Sequence, residues 1–287
     1  MEYRIADDLK TIRSILNMSQ SEFAKEIGMT QISITRLENS VNNPSLDTLD
    51  RIYNYAYKKN IKMNILKEMF YKEEINDDSV ILFHGTKTDL VGEISPYVGR
   101  SKIDFGNGFY CGESIEQTIS FVSNYPDSSV YILKFNPSGL KYTRFSVNQE
   151  WMLAIAYFRA KLEKYKEHKK IREIIEKVQS SDYVIAPIAD NRMFIIIDRF
   201  IDGEITDEQC KHCLAATNLG YQYVMLNKKA TSNITILEKC FISSLERNSY
   251  DIDRGTELVD SENKVRMAMI KYKNKGNYIE EILKWEI

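Results

Sequence analysis

The chain has 287 residues, 39 Lys and Arg against 41 Asp and Glu, and 43% hydrophobic residues. That length allows one or two domains with a sizeable core, and the net charge of -2 removes any whole-chain basic footprint for nucleic acid. Four cysteines do not make a disulfide scaffold, no apolar run approaches the ~20 residues that span a bilayer, and the opening MEYRIADDLK is no secretion signal, so a reduced, cytoplasmic protein without a membrane partner is expected.

The first 60 residues read as short amphipathic helices. Leu9, Ile12 and Leu16 recur at helical spacing. Ser19, with Glu22 three residues on, predicts a capping box. Phe23, Ala24 and Ile27 carry an apolar face, and Gly28 ends that helix in the left-handed region. Thr30 caps a helix running to about Asn39, Asn43-Pro44 breaks the chain, and Ser45 opens another helix through about Tyr57. Residues 67–79 end in the charged run YKEEINDDS and read as a linker.

Beyond it the pattern changes. Val80 to Phe83 is a strand that ends in His84-Gly85-Thr86, Val130 to Phe135 is another, and Tyr221 to Leu226 a third. Met193 to Ile197 reads as a strand or a buried helix start, and residues 150–178 read as helical. Within them the alternating charges of Lys161–Lys177 predict a solvated face. The tail ends in an amphipathic helix from Ile279 to Trp285. The fold class is α+β: an all-α domain over 1–66, a linker over 67–79, a mixed domain over 80–245 and a helical extension over 246–287.

Residues 18–40, MSQSEFAKEIGMTQISITRLENS, resemble the Xre/lambda-Cro type of helix-turn-helix: Gln20, Ala24, Gly28, Ile34, Glu38 and Asn39 fall at that family's positions. Small Ala24 and Gly28 suit a tight crossing of two helices. The resemblance implies DNA contact through Thr30, Gln31, Ser33 and Arg36, with Gln20 at a helix start near a phosphate. Residues 1–60 hold eight Lys or Arg against eight Asp or Glu, so DNA affinity would depend on a two-fold homodimer. Protein docking or self-association is the other reading of this module.

His84-Gly85-Thr86 followed by Asp104-Phe105-Gly106-Asn107-Gly108-Phe109-Tyr110 resembles the ADP-ribosyltransferase fold, in the poly(ADP-ribose) polymerase/diphtheria-toxin branch with its H-Y-E signature. Glu150-Trp151, the run from Asp182 to Asp190 and Gly220 to Val224 narrow the likeness to an uncharacterised bacterial domain grouped with these transferases. The resemblance implies a split β-sheet with flanking helices, and NAD as substrate. His84 would bond an NAD ribose hydroxyl, the Gly85 backbone would approach the carboxamide, Thr86 would belong to the same cofactor-binding set, and Gly108 would shape the loop before Tyr110. Tyr110 and Phe121 would sandwich the nicotinamide, for about 1–2 kcal/mol of stacking and cation–π energy. Thr118 would supply a hydroxyl to the carboxamide. The branch's glutamate falls at Gln222, which can accept a hydrogen bond but carries no charge; Glu257 is a second candidate for that position.

Each residue also has an ordinary structural reading. His84 can be a satisfied strand-end histidine, Tyr110 and Phe121 can be core, and Asp182 and Asp190 can fix loops. Cys210 and Cys213 share a helix face, but no second Cys-x-x-Cys exists and no metal is expected. Besides the lesser reading of a purely structural interaction protein, two functions remain. One is an NAD-dependent mono-ADP-ribosyltransferase acting on a macromolecular acceptor, a toxin or phage-defence effector with its own DNA- or partner-binding module. The other is a DNA-binding regulator whose degenerate transferase domain senses NAD or a related nucleotide without turnover.

Overall fold

The structure, a computed structural model, describes residues 2–41, 43–98, 102–216 and 220–284; at Asn191 and over 254–260 only the backbone is described. The fold is α+β, with seven strands paired in both senses. The chain forms two compact units.

The first unit comprises Met1–Val91, Ser114–Phe135 and Thr235–Arg254. It opens with α1 (Ile5–Leu16), α2 (Gln20–Glu26), α3 (Gln31–Glu38) and α4 (Leu46–Lys58). Local chemistry sets their boundaries. Ser19 and Glu22 close a reciprocal capping box on α2, and the Thr30 and Ser45 hydroxyls accept backbone N–H bonds at the starts of α3 and α4. Gly28 turns the chain between α2 and α3 at φ +66°, where a Cβ would cost about 1–2 kcal/mol. Leu9, Ile12, Phe23, Ile34, Leu49 and Ile52 meet in a fully buried core.

Residues 67–79 are not a free linker: α5 (Met63–Glu74) occupies them through Glu74. The charged sequence hides this helix because Lys67 is itself a core residue. Its ammonium lies 2.6 Å from both Asp8 and Glu238, all three buried. An ion cluster here replaces the apolar period that marks most packed helices.

After α5 comes β1 (Val80–Thr86), antiparallel to β3 (Ser129–Phe135), with Leu82 opposite Leu133 and Gly85 opposite Val130. β7 (Ile234–Cys240) lies next to β3. α6 (Ile115–Val122) packs its Ile115 and Ile119 on Ile81 and Phe83 of β1. α12 (Ser244–Lys271) begins in this unit and runs across the boundary expected at residue 245.

The second unit comprises Gly92–Glu113, Asn136–Ile234 and Gly255–Ile287. Its strands are β2 (Phe109–Gly112), β4 (Tyr142–Arg144), β5 (Tyr183–Pro187) and β6 (Tyr221–Met225), in the order β4-β5-β6-β2. β4 and β5 are parallel; β6 is antiparallel to β5 and β2. Helices α7 (Gln149–Phe158), α8 (Lys169–Gln179), α9 (Asn191–Ile201) and α10 (Asp207–Ala215) surround a core of Phe105, Phe145, Trp151, Ile197 and Phe200.

The helix expected over 150–178 is therefore two. Ala160 at φ +64° ends α7, with Lys161 N–H bonded back to the Ala156 carbonyl. Met193–Ile197 resolves as helix, because the Asp190 carboxylate accepts the N–H groups of Arg192 and Met193 and starts α9. Of the helix expected from Ile279 to Trp285, α13 covers Ile279–Ile282, and Trp285 lies outside the described residues.

Candidate functional site

In the N-terminal helices, α2 and α3 are held by a lock centred on Glu38. Arg13 on α1 donates from Nε (2.6 Å) and Nη2 (3.1 Å) to the two Glu38 carboxylate oxygens. Gln20 donates from Nε2 to Glu38 (2.7 Å) and accepts from the Thr35 hydroxyl (2.8 Å). Burial works against the charge on Glu38, but these bonds outweigh it and hold its pKa below the usual carboxylate value. The Gln20 amide, expected beside a phosphate, also ties α2 to α3. Thr30 and Ser33 share a hydroxyl–hydroxyl bond of 2.8 Å at the start of α3. Thr30, Gln31 and Arg36 are exposed, Ser33 is half-buried, and Ile32 between them is 65% exposed.

The residues expected to hold NAD divide between the units. His84, Gly85, Thr86, Thr118 and Phe121 lie in the first. His84 faces Tyr131 across the β1–β3 ladder, and Thr86 ends the strand. Gly85 and Thr118 are brought together, for a Cβ on Gly85 would come within 3.0 Å of Thr118 Cγ2 and of Val122 Cγ1. The glycine is thus required for α6 to lie against β1. Thr118 is buried and donates its hydroxyl to the Ser114 carbonyl one turn back (2.9 Å). Phe121 is 49% exposed.

Gly108, Tyr110 and Gln222 lie in the second unit. A Cβ on Gly108 would sit 2.6 Å from Val224 Cγ1, so this glycine lets the chain approach β6. The Tyr110 hydroxyl donates to the Gly106 carbonyl (2.8 Å) and accepts from Phe105 N–H (3.0 Å), clasping the turn that Gly106 makes at φ +73°. Burial raises its pKa far above that of a free phenol. Gln222 on β6 is buried and donates Nε2 to Asp104 (2.7 Å) and to the Pro187 carbonyl (3.3 Å). Glu257 falls on α12 where side chains lie outside the described residues.

Sequence reasoning missed the centre of that second group. Asp104 is buried and accepts from Gln222, from Ala189 N–H (3.1 Å) and from Arg159 Nε (3.0 Å) and Nη2 (2.5 Å). Arg159 also donates to the Ala189 carbonyl (2.6 Å) and lies 4.1 Å over the Phe194 ring. Asp104 stood in plain view before the glycine-aromatic run, but nothing local marks its partners 55 and 118 positions away. Cys210 and Cys213 are buried on α10 and point their thiols at the carbonyls of Ile196 and Val265 (3.7 Å each).

Residues 80–236, more than half of the chain, match the family described as a protein of unknown function, DUF3990. The chain belongs to the DUF3990 family. The family region runs from the first residue of β1 into β7, and so carries all eight residues expected around NAD. Residues 9–54 match a helix-turn-helix family, which covers most of α1 and all of α2, α3 and most of α4. This DUF3990 protein therefore carries a helix-turn-helix at its N-terminus. No curated protein and no solved structure matches the chain. Among the described residues, no helix is long and apolar enough to cross a membrane.

Proposed function

We propose that this DUF3990 protein is a DNA-binding regulator that acts as a two-fold dimer, and that its DUF3990 region senses NAD or a related nucleotide without turning it over. The observation that carries the proposal is the lock behind α3. Arg13, Gln20, Thr35 and Glu38 bond one another, which fixes α3 and leaves Thr30, Gln31 and Arg36 exposed. That division suits a recognition helix, whose base-reading side chains must be held by groups that do not read bases. The sensor half draws support from Gln222. A neutral amide stands where a catalytic carboxylate is expected, and its N–H groups are committed to Asp104 and Pro187.

Footprinting on DNA upstream of the protein's own coding sequence, at low salt, tests the first half. Protection in two half-sites one helical turn apart is expected, with loss in Gln31→Ala and Arg36→Ala; binding indifferent to both variants sinks the proposal.

A second reading is transfer of ADP-ribose from NAD to a macromolecular acceptor, as a cytoplasmic toxin or phage-defence activity. It is favoured by His84-Gly85-Thr86 ending β1 and by the aromatic Phe121 left half in solvent on α6. Incubation with labelled NAD separates the two. Nicotinamide release together with label joined to a macromolecule, both lost in His84→Ala, establishes the transferase, whereas NAD binding with no release supports the sensor.

A further inference from the structure

We propose that a groove of about 920 Å³ in the second unit, between α9 and the second half of α12, binds a long-chain carboxylate. None of its lining residues belongs to the set expected around NAD, and the proposal does not depend on DNA binding.

The groove is at the upper end of the size range of small-molecule sites. Ile196, Ile205, Val265 and Met269 give it an apolar floor, and Ile195 and Ile270 stand at its walls 61% and 67% exposed. Exposed aliphatic side chains gathered in a concavity call for an apolar occupant.

The charge around that floor specifies its head group. Among the described residues, five cations line the groove against two acids, Glu204 and Glu262. Arg192 and Arg199 are already paired, with Asp190 at 3.2 Å and Glu204 at 2.8 Å. Lys264, Arg266 and Lys273 form no ion pair among the described residues. Set against Glu262, Lys264, Arg266 and Lys273 leave an excess of positive charge among the described lining residues, and beside an aliphatic channel that excess complements an anion with a hydrocarbon tail. The long Lys and Arg stems can lie along the tail while their charges meet the carboxylate at the water boundary.

Titration calorimetry of the full chain tests this, with myristate kept below its micellar concentration. One myristate per chain is expected, with no binding of the trimethylammonium amphiphile of equal chain length and much weaker binding of the methyl ester. The triple variant Lys264→Glu, Arg266→Glu, Lys273→Glu should weaken binding about tenfold or more. Ile270→Glu, which blocks the apolar wall and leaves the three cations, should weaken it as well. Thermal unfolding of both variants confirms that they fold. Equal affinity for the ester, or undiminished affinity in the folded triple variant, overturns the proposal. So does binding of an acidic amphipathic helical peptide with no response to myristate, which would make the groove a protein-docking surface.

Discussion

The helix-turn-helix and the DUF3990 region each bury a carboxylate against an arginine, and they use the pair in opposite ways. Arg13–Glu38 recruits Gln20 and Thr35, residues that look inward, and leaves the outer side of α3 untouched. Arg159–Asp104 recruits Gln222, the residue whose position suggested chemistry on a substrate. The same interaction frames a reading surface in one region and absorbs a candidate functional group in the other. A polar residue at a family position therefore says little until its hydrogen-bond partners are known.

The sharpest way to break this comparison is Asp104→Ala. It strands the largely buried Arg159 guanidinium and removes an acceptor from Gln222, and should cost about 3–5 kcal/mol in denaturant unfolding. A loss below about 1 kcal/mol would show that the cluster is not structural and would return Gln222 to candidacy for chemistry.

A pH experiment comes next. Glu246, on the first turn of α12, is buried and accepts a 2.8 Å bond from Asn64; burial raises its pKa to about 7 despite that bond. The folded state then holds a proton that the unfolded chain has released, so stability falls as pH rises from about 4.5 to about 7, by about 3 kcal/mol. Glu246→Gln keeps an acceptor for Asn64 and should flatten that slope, raising the melting temperature at pH 8 but not at pH 4. An unchanged slope would place the titration elsewhere.

Glu38→Ala should cost about 2 kcal/mol, less than the Asp104 variant because Asp104 also satisfies the buried Ala189 N–H, and should weaken DNA binding as α3 loosens. The smallest effect is expected at Arg36, exposed on α3: Arg36→Ala should change stability by no more than about 0.5 kcal/mol while weakening DNA binding. Equal losses of stability in Glu38→Ala and Arg36→Ala would erase the distinction between lock and reading surface.

The helix-turn-helix was legible because its signals are local. Ser19 with Glu22, Thr30, Ser45 and Gly28 act within a turn of themselves, and each caps or turns the chain as its residue type requires. β1 and β3 were legible as apolar runs. β6 is legible too, but β2 and β4, at four and three residues, are too short to show a strand pattern, and β7 carries the charged Glu238 and Lys239, both buried. α5 is hidden for a related reason, since its buried Lys67 looks in sequence like a solvent residue.

Spacing, caps and glycines along the chain were enough to specify an N-terminal helix-turn-helix and an α+β region after it, because helix starts, turns and apolar periods are decided by neighbours a few residues apart. Only the tertiary structure decided which polar groups face water. Lys67 meets Asp8 and Glu238, and Gln222 meets Asp104, across separations of 59 to 171 residues. A buried charge must find its counter-charge wherever the fold brings one, and no local pattern records where that is.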